Sequence, residues 1–363
     1  MLASAQDVAA GLKTASDELQ GLRKQADEEI GNKVGELNAL LSQFQEANDR
    51  VKNLTATGGD PNDALDTRDG LLKKISEIVG VTASLRDGND MVLYTSDGTT
   101  LFEIVPRKVT FQPTASFDAS TPGNGIAIDG VPLRAGQGGD TTAKGSLQAL
   151  LQLRDQIAPV FQSQLDEIAR GLVTAFAETG PDGTLVPMAG LFTYKDETGA
   201  LQTAVPAAGA IVPGLASRLV INPAVVPPAG SMDALRDGGM NGSEYRVNTG
   251  GSSYAGLIDQ YNRNLEAPMA FDPATAIGDS RNLLSFATMS VGWLEQLRSS
   301  ATHADEAKYA MLSRSLNAYS SATGVSLDEE LSLLLDIEQA YKAAAKLLWM
   351  TDEMVEALLK MGR

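Results

Sequence analysis

The chain has 363 residues, with 29 Lys and Arg against 46 Asp and Glu, for a formal net charge of −17. That length suggests two or three domains with buried cores, while the acidity argues against nucleic acid as a main partner, because phosphates would be repelled, and against binding to an anionic membrane. The absence of Cys removes disulfides, thiolate metal sites and Cys nucleophiles, and a single His, His303, leaves no His-rich metal centre.

The first fifty-odd residues read as one long helix. Val34, Leu37, Leu41, Phe44, Asn48 and Val51 step by three and four, the a/d seam of a heptad, and the seam reads as core within the chain. Asn48 lies on that seam, where a buried amide penalises slipped registers. The breaker cluster Gly58-Gly59-Asp60-Pro61 ends the helix. A second helix starts near Pro61, presents Leu65, Leu72, Ile75 and Val79, and reads as terminating on a left-handed Gly80. The two form an antiparallel pair.

From Val81 the period changes to two. Val81–Leu85, Met91–Thr95 and Leu101–Val105 are β-prone runs separated by turns containing Asp87-Gly88 and Asp97-Gly98. Asp129-Gly130 joins another pair, so 81–142 reads as a small antiparallel β region. Helix resumes at Gly145-Ser146 and runs toward Thr179 with a kink at Pro159; its stripe is Ile157, Phe161, Leu165, Ile168, Leu172 and Phe176. The stretch 180–278, rich in Gly and Pro, reads as irregular, with short β pieces such as Arg218–Asn222 and a short helix around Tyr254–Leu265.

The last eighty-five residues are helical again. Leu283–Leu297 is amphipathic, and Tyr309, Leu312, Leu316 and Tyr319 repeat at three and four before Gly324 interrupts. Ser326-Leu327-Asp328-Glu329 has capping-box spacing. Leu327, Leu334, Tyr341, Leu348 and Val355 then recur every seven residues, with Leu331, Ala345 and Leu359 on the second seam. This apolar stripe reads as an assembly interface.

Catalytic motifs are missing. No Gly-Lys dipeptide occurs, so a P-loop is impossible, and neither G-x-G-x-x-G nor G-x-S-x-G is present. His303 sits on a polar helix face and reads as solvated. Asp87, Asn89 and Asp90 do not match an EF-hand spacing and read as a turn. Carboxylates are numerous enough to leave a two-carboxylate hydrolase open, with 180–278 as its site. A coiled-coil adhesin or a phage structural protein is the other alternative.

The terminal run Gly324-Val325-Ser326-Leu327-Asp328-Glu329-Glu330-Leu331, followed by Gln339-Ala340-Tyr341-Lys342-Ala343-Ala344-Ala345-Lys346-Leu347-Leu348, resembles the C-terminal signature of flagellar axial proteins. Leu65–Leu72, Ile78-Val79-Gly80-Val81, Gly145–Leu151 and Leu172–Glu178 make the whole most similar to the hook-associated group that joins hook to filament. The resemblance implies an α+β multidomain protein. Both chain ends would form a discontinuous long-helix bundle or coiled-coil domain (1–79, 145–179 and 279–363, with 326–363 as the assembly helix). Antiparallel β domains (80–144 and 180–278) would be inserted into it.

It also implies a non-enzymatic structural subunit without cofactor, metal or catalytic residues. Its assembly residues are Leu327, Leu331, Leu334, Tyr341, Leu348, Val355 and Leu359. The implied partners are the flagellar hook protein, hook-associated protein 3, further copies in a ring and an export chaperone, with no nucleic acid and no membrane. The implied location is extracellular, on the flagellum, after type III export. The family normally opens with about a hundred residues containing an Asn-rich helical motif that pairs with the C-terminal helix, and nothing here matches that opening, as in a chain truncated at its N-terminus. The expectation is therefore that 326–363 is loosely ordered or packed against a neighbouring molecule.

Overall fold

The computed structural model describes residues 1–134, 144–323, 331–342 and 346. The chain divides into two units, Met1–Ala301 and Thr302–Arg363. The fold is α+β: long helices carry several small antiparallel sheets.

Helix α1 runs from Leu2 to Thr57 and stops where Gly58 takes a left-handed conformation (φ 71°), letting the Gly59 N–H reach the Leu54 carbonyl at 2.9 Å. Its heptad seam is buried within the chain: Ile30, Leu37, Leu41, Phe44 and Val51 are fully covered. Helix α2 (Asn62–Ile78) packs against it, but buries Ala64, Arg68, Leu71, Ile75 and Ile78 rather than the face through Leu65 and Leu72. Gly80 is also not the left-handed terminator expected. α2 ends on an extended Val79, and Gly80 is small because Lys144 passes against it; the Gly80 N–H donates to the Lys144 carbonyl at 2.7 Å and a Cβ there would collide with the Lys144 side chain.

Strands β1 (Val81–Leu85), β2 (Met91–Thr95) and β3 (Thr100–Phe102) form the expected meander, with Val81 opposite Thr95 and Leu85 opposite Met91. A second three-stranded sheet, β4 (Val109–Thr110), β5 (Ala127–Ile128) and β6 (Val131–Pro132), turns at Asp129-Gly130. Both sheets, with α2 and helix α3 (Ser146–Gln152), close an apolar core on α1 residues 30–47, where Phe44 and Phe102 meet edge to face at 5.1 Å.

A π-turn over Leu153–Ile157 follows α3 and leads into α4 (Ala158–Ala175), so the break expected at Pro159 is a widened turn just before it. α4 is buried nearly all round, against the first twenty residues of α1 and against the irregular stretch beyond. That stretch contains β7 (Phe192–Lys195), β8 (Leu201–Gln202), α5 (Leu215–Arg218), β9 (Leu219–Ile221), α6 (Ala234–Asp237), α7 (Gly256–Glu266) and the β10–β11 pair (Met269–Ala270, Ser280–Arg281). Helix α8 spans Leu283–Thr323; its start is anchored by Phe286 stacked on Phe271 at 4.0 Å and by Ser290, whose hydroxyl donates to Gln164 at 2.6 Å.

Between the two apolar cores lies a buried ionic belt. Arg154, in the π-turn, pairs with Asp27 of α1, and both are essentially inaccessible. Arg23 donates to three carbonyls, those of Arg154 (3.0 Å), Asp118 (2.9 Å) and Thr121 (2.7 Å). Its guanidinium also lies 4.6 Å from the centre of the Phe117 ring. Together with Asp27, which accepts from the Thr114 N–H at 2.7 Å, these residues tie down the strap between β4 and β5.

Candidate functional site

Two kinds of surface bear on function: clefts with room for a small molecule, and apolar helix faces left uncovered. Among the described residues, two clefts of about 370 and 390 Å³ lie on either side of Ala119-Ser120, and a third of about 360 Å³ lies between α1 and α2, beside Glu46 and Arg50. Asp118, Glu197 and Arg218 are among the residues lining the first. Asp118 is committed to its own turn: its carboxylate accepts from the hydroxyls of Thr121 and Ser120 and from their backbone N–H groups, which together hold its pKa down to about 2. A carboxyl held that low is a poor general acid near neutrality.

The carboxylates with the unusual environments are sealed inside. Asp166 of α4 is 1% exposed, and burial pushes its pKa up to about 6, against the three donors it accepts from: Gln162 Nε2 (3.0 Å), Gly214 N–H (2.8 Å) and Ala216 N–H (2.9 Å). Glu167 pairs with Arg170 at 2.7 Å, and Arg170 also donates to the Ala270 carbonyl at 2.5 Å. Glu178 accepts from the Met240 N–H and the Asn241 N–H, both at 3.0 Å. Each fixes an irregular loop to α4 or to the residues just after it, and none lines any of these clefts. Sequence reading misses these residues, since nothing in a charged helical position says that its partners lie fifty to a hundred residues away.

Among the described residues no group of three or more His, Cys, Asp or Glu is placed to hold a metal ion, and no helix is long and apolar enough to cross a membrane. His303 is exposed on α8, 3.6 Å from Glu306, as its polar surroundings indicate. Asp87 and Asn89 form a short turn, and Asp90 accepts from Asn48 at 2.8 Å.

The uncovered apolar faces are extensive. Residues 331–342 are helical, and Leu331, Leu334 and Tyr341 are 58%, 64% and 75% exposed. Their three- and seven-residue spacings put them on one face. Leu327, Leu348, Val355 and Leu359, the other expected interface positions, lie outside the described residues. Leu333, Leu335 and Ile337 are exposed as well, so the apolar surface is wider than a single heptad seam. The run Leu333-Leu334-Leu335-Asp336-Ile337 is the signal that a seven-residue reading passes over. On α8, Tyr309, Leu312, Leu316 and Tyr319 are exposed at the spacing expected, and three of them flank a shallow groove with Ser313 and Asn317. A soluble monomer rarely leaves this many adjacent large apolar side chains in water.

The family model described as "Flagellar hook-associated protein FlgK helical domain" matches residues 1–186. The chain belongs to this family. A second model, described as "Flagellar basal body rod FlgEFG protein C-terminal", matches residues 316–361, which include the exposed helical stretch. The flagellar hook-associated protein 1 of Salmonella typhimurium is 28% identical over 181 residues, covering 48% of this chain and 32% of that protein. Its Escherichia coli counterpart is 28% identical over 168 residues, covering 45% and 30%. The Bacillus subtilis protein of the same name aligns over 98% of this chain and 69% of its own length at 22% identity. The chain thus spans about a third of the Salmonella and E. coli relatives it matches. A solved structure titled as the flagellar hook junction protein FlgK from Burkholderia pseudomallei aligns with a TM-score of 0.41 at 18% identity, covering 63% of this chain and 54% of that one.

Proposed function

We propose that the chain is a non-enzymatic structural subunit of the bacterial flagellum that joins hook to filament through helix–helix contacts between subunits. The observation that carries this reading is the uncovered apolar surface of residues 331–342, in a segment matched by the flagellar rod C-terminal model. Burying it against neighbouring helices contributes about 25 cal/mol per Å² of apolar area. Equivalent surfaces repeated around an axis close into a ring. The assembly residues are Leu327, Leu331, Leu334, Tyr341, Leu348, Val355 and Leu359.

The helical segments 1–79, 145–179 and 279–363 would act as the axial domain, with 80–144 and 180–278 as inserted β-containing parts. The partners in this reading are the hook protein, hook-associated protein 3 and further copies of the chain. An export chaperone would keep the apolar helix covered before type III export to the extracellular flagellum. The low pKa of Asp118 and the burial of Asp166, Glu167 and Glu178 weigh against the two-carboxylate hydrolase. The test is the double substitution Leu334→Asp and Leu348→Asp in a motile cell: the protein is still secreted but filaments no longer attach. Normal filament attachment in that variant overturns the interface.

A further inference from the structure

The chain contains two Asn-Gly pairs, Asn124-Gly125 and Asn241-Gly242, and the fold treats them in opposite ways. Asn124 and Gly125 are both exposed, near the end of the strap between β4 and β5. The Asn124 side-chain amide is held by a single hydrogen bond, to the Gln112 carbonyl at 3.0 Å. The Gly125 N–H has no hydrogen-bond partner among the described residues, and nothing lies within 4 Å of where a Cβ would project from it. Asn241 and Gly242 are half-buried. The Asn241 amide donates both to Glu178 and to the Ala189 carbonyl at 2.9 Å, and the Gly242 nitrogen is engaged with the Gly239 carbonyl at 3.3 Å.

We infer that Asn124 is a site of spontaneous deamidation in the folded protein and that Asn241 is protected by its fold. The Gly125 backbone nitrogen attacks Asn124 Cγ, losing its proton as the new C–N bond forms. The side-chain amide nitrogen leaves as ammonia, closing a five-membered succinimide. Water then opens one of its two carbonyls, giving aspartate or isoaspartate; the net change is one water consumed and one ammonia released. Glycine permits the attack because it has no side chain to obstruct the nitrogen. Although the Asn124 N–H donates to the Thr114 hydroxyl at 3.1 Å and its carbonyl is held by Arg154, the attacking Gly125 nitrogen and the exposed Asn124 amide are the parts of the strap left least restrained.

The site matters because the Asn124 carbonyl is a partner of the buried Arg154, whose Nη2 donates to it at 2.7 Å. An isoaspartate routes the backbone through the former side chain and turns that carbonyl into a free carboxylate beside Arg154, displacing Gly125 from its place in the strap. An aspartate replaces the donor to Gln112 with a carboxylate that the Gln112 carbonyl repels. Either product adds a negative charge next to the ionic belt and removes the side-chain bond to Gln112.

The test is peptide mass spectrometry of the intact folded chain after prolonged incubation in warm, mildly alkaline buffer, with a denaturant-unfolded sample alongside. The expected result is progressive conversion of Asn124, with separable aspartate and isoaspartate peptides, while Asn241 stays an amide until the chain is unfolded. Gly125→Ala is the control variant, since the backbone there is not left-handed and the space is open, so it folds normally and its Asn124 converts several-fold more slowly. An Asn124 that stays intact in the folded chain while converting in denaturant overturns the inference. So does an Asn241 that converts equally fast when folded.

Discussion

Arg23 of α1 donates its Nε–H to the carbonyl oxygen of Arg154 at 3.0 Å, so one buried guanidinium caps the backbone of the residue that carries another. The two like charges sit together because each is supplied with acceptors: Arg154 with Asp27, Asp155 and the Asn124 carbonyl, Arg23 with three carbonyls and the Gln20 side chain. Asp27 is the residue this arrangement cannot spare. Asp27→Ala leaves Arg154 with only Asp155 as counter-charge inside the protein and is expected to cost about 3 kcal/mol. Urea denaturation of the variant and the parent measures it; a loss below about 1 kcal/mol would mean that Asp155 alone suffices.

Asn48 illustrates what heptad reading does and does not reach. The seam it belongs to is buried as expected, and a polar residue at such a position suggests register control between helices. In the fold, its carboxamide instead anchors the β1–β2 hairpin. Its oxygen accepts from Arg68 Nη1 and from the Met91 N–H, both at 3.0 Å, while its nitrogen donates to Asp90 at 2.8 Å. Asn48→Leu has nearly the same bulk but orphans these groups, and a loss of about 2–3 kcal/mol is expected. Calorimetry of that variant should show the lowered transition, whereas a pure seam position would gain stability from leucine.

Asp166 makes the stability of the fold depend on pH in an unusual direction. Burial raises its pKa from 3.8 to about 6, so the folded chain holds the proton more tightly than the unfolded one. The contribution is therefore fully present below about pH 4 and is lost as pH rises through about 6, at most about 3 kcal/mol in all. Asp166→Asn removes this dependence: its stability curve is flatter than the parent's between those two pH values. The amide cannot accept from both Gly214 and Ala216 as the carboxylate does, so the variant is also less stable near neutrality. Denaturation midpoints measured across that window decide the point.

Gly145 caps α3 at φ 91°, and a Cβ on it would sit 2.6 Å from the Ile78 carbonyl carbon and oxygen. Gly145→Ala combines the strain of a positive φ and extended ψ (91°, 164°), about 1–3 kcal/mol, with a clash against main chain, which has little freedom to move away. A total loss of about 3 kcal/mol is expected by thermal denaturation. A neutral result would show that the α2–α3 contact relaxes freely.

The long helices were legible because 3–4 spacing extends over several turns in 34–51 and again in 309–319, and the meander because Asp-Gly turns punctuate alternating runs. The left-handed terminator assigned to Gly80 was wrong because a glycine after a helix has two explanations. The close approach of Lys144, sixty-four residues later in the chain, is invisible locally. The same holds for α4: Asp166, Glu167 and Arg170 look like an ordinary polar face, yet every one is buried by loops whose irregularity conceals their partners. Of the interface, three of the seven residues named from the sequence lie in the described helical stretch, all exposed, and Leu333 and Ile337 add breadth that a seven-residue period does not predict because they fall off its seam.

The most direct test of the assembly surface exploits the absence of Cys. Leu334→Cys and Tyr341→Cys, made singly and expressed in motile cells, place a unique thiol on the uncovered face, and Asp17→Cys places one on an exposed site of α1. Oxidation or a short bifunctional linker applied to isolated flagella should join the first two variants into covalent oligomers and leave the third monomeric. If Leu334→Cys and Tyr341→Cys stay monomeric in filaments that have assembled, the apolar face of 331–342 does not meet a neighbouring copy.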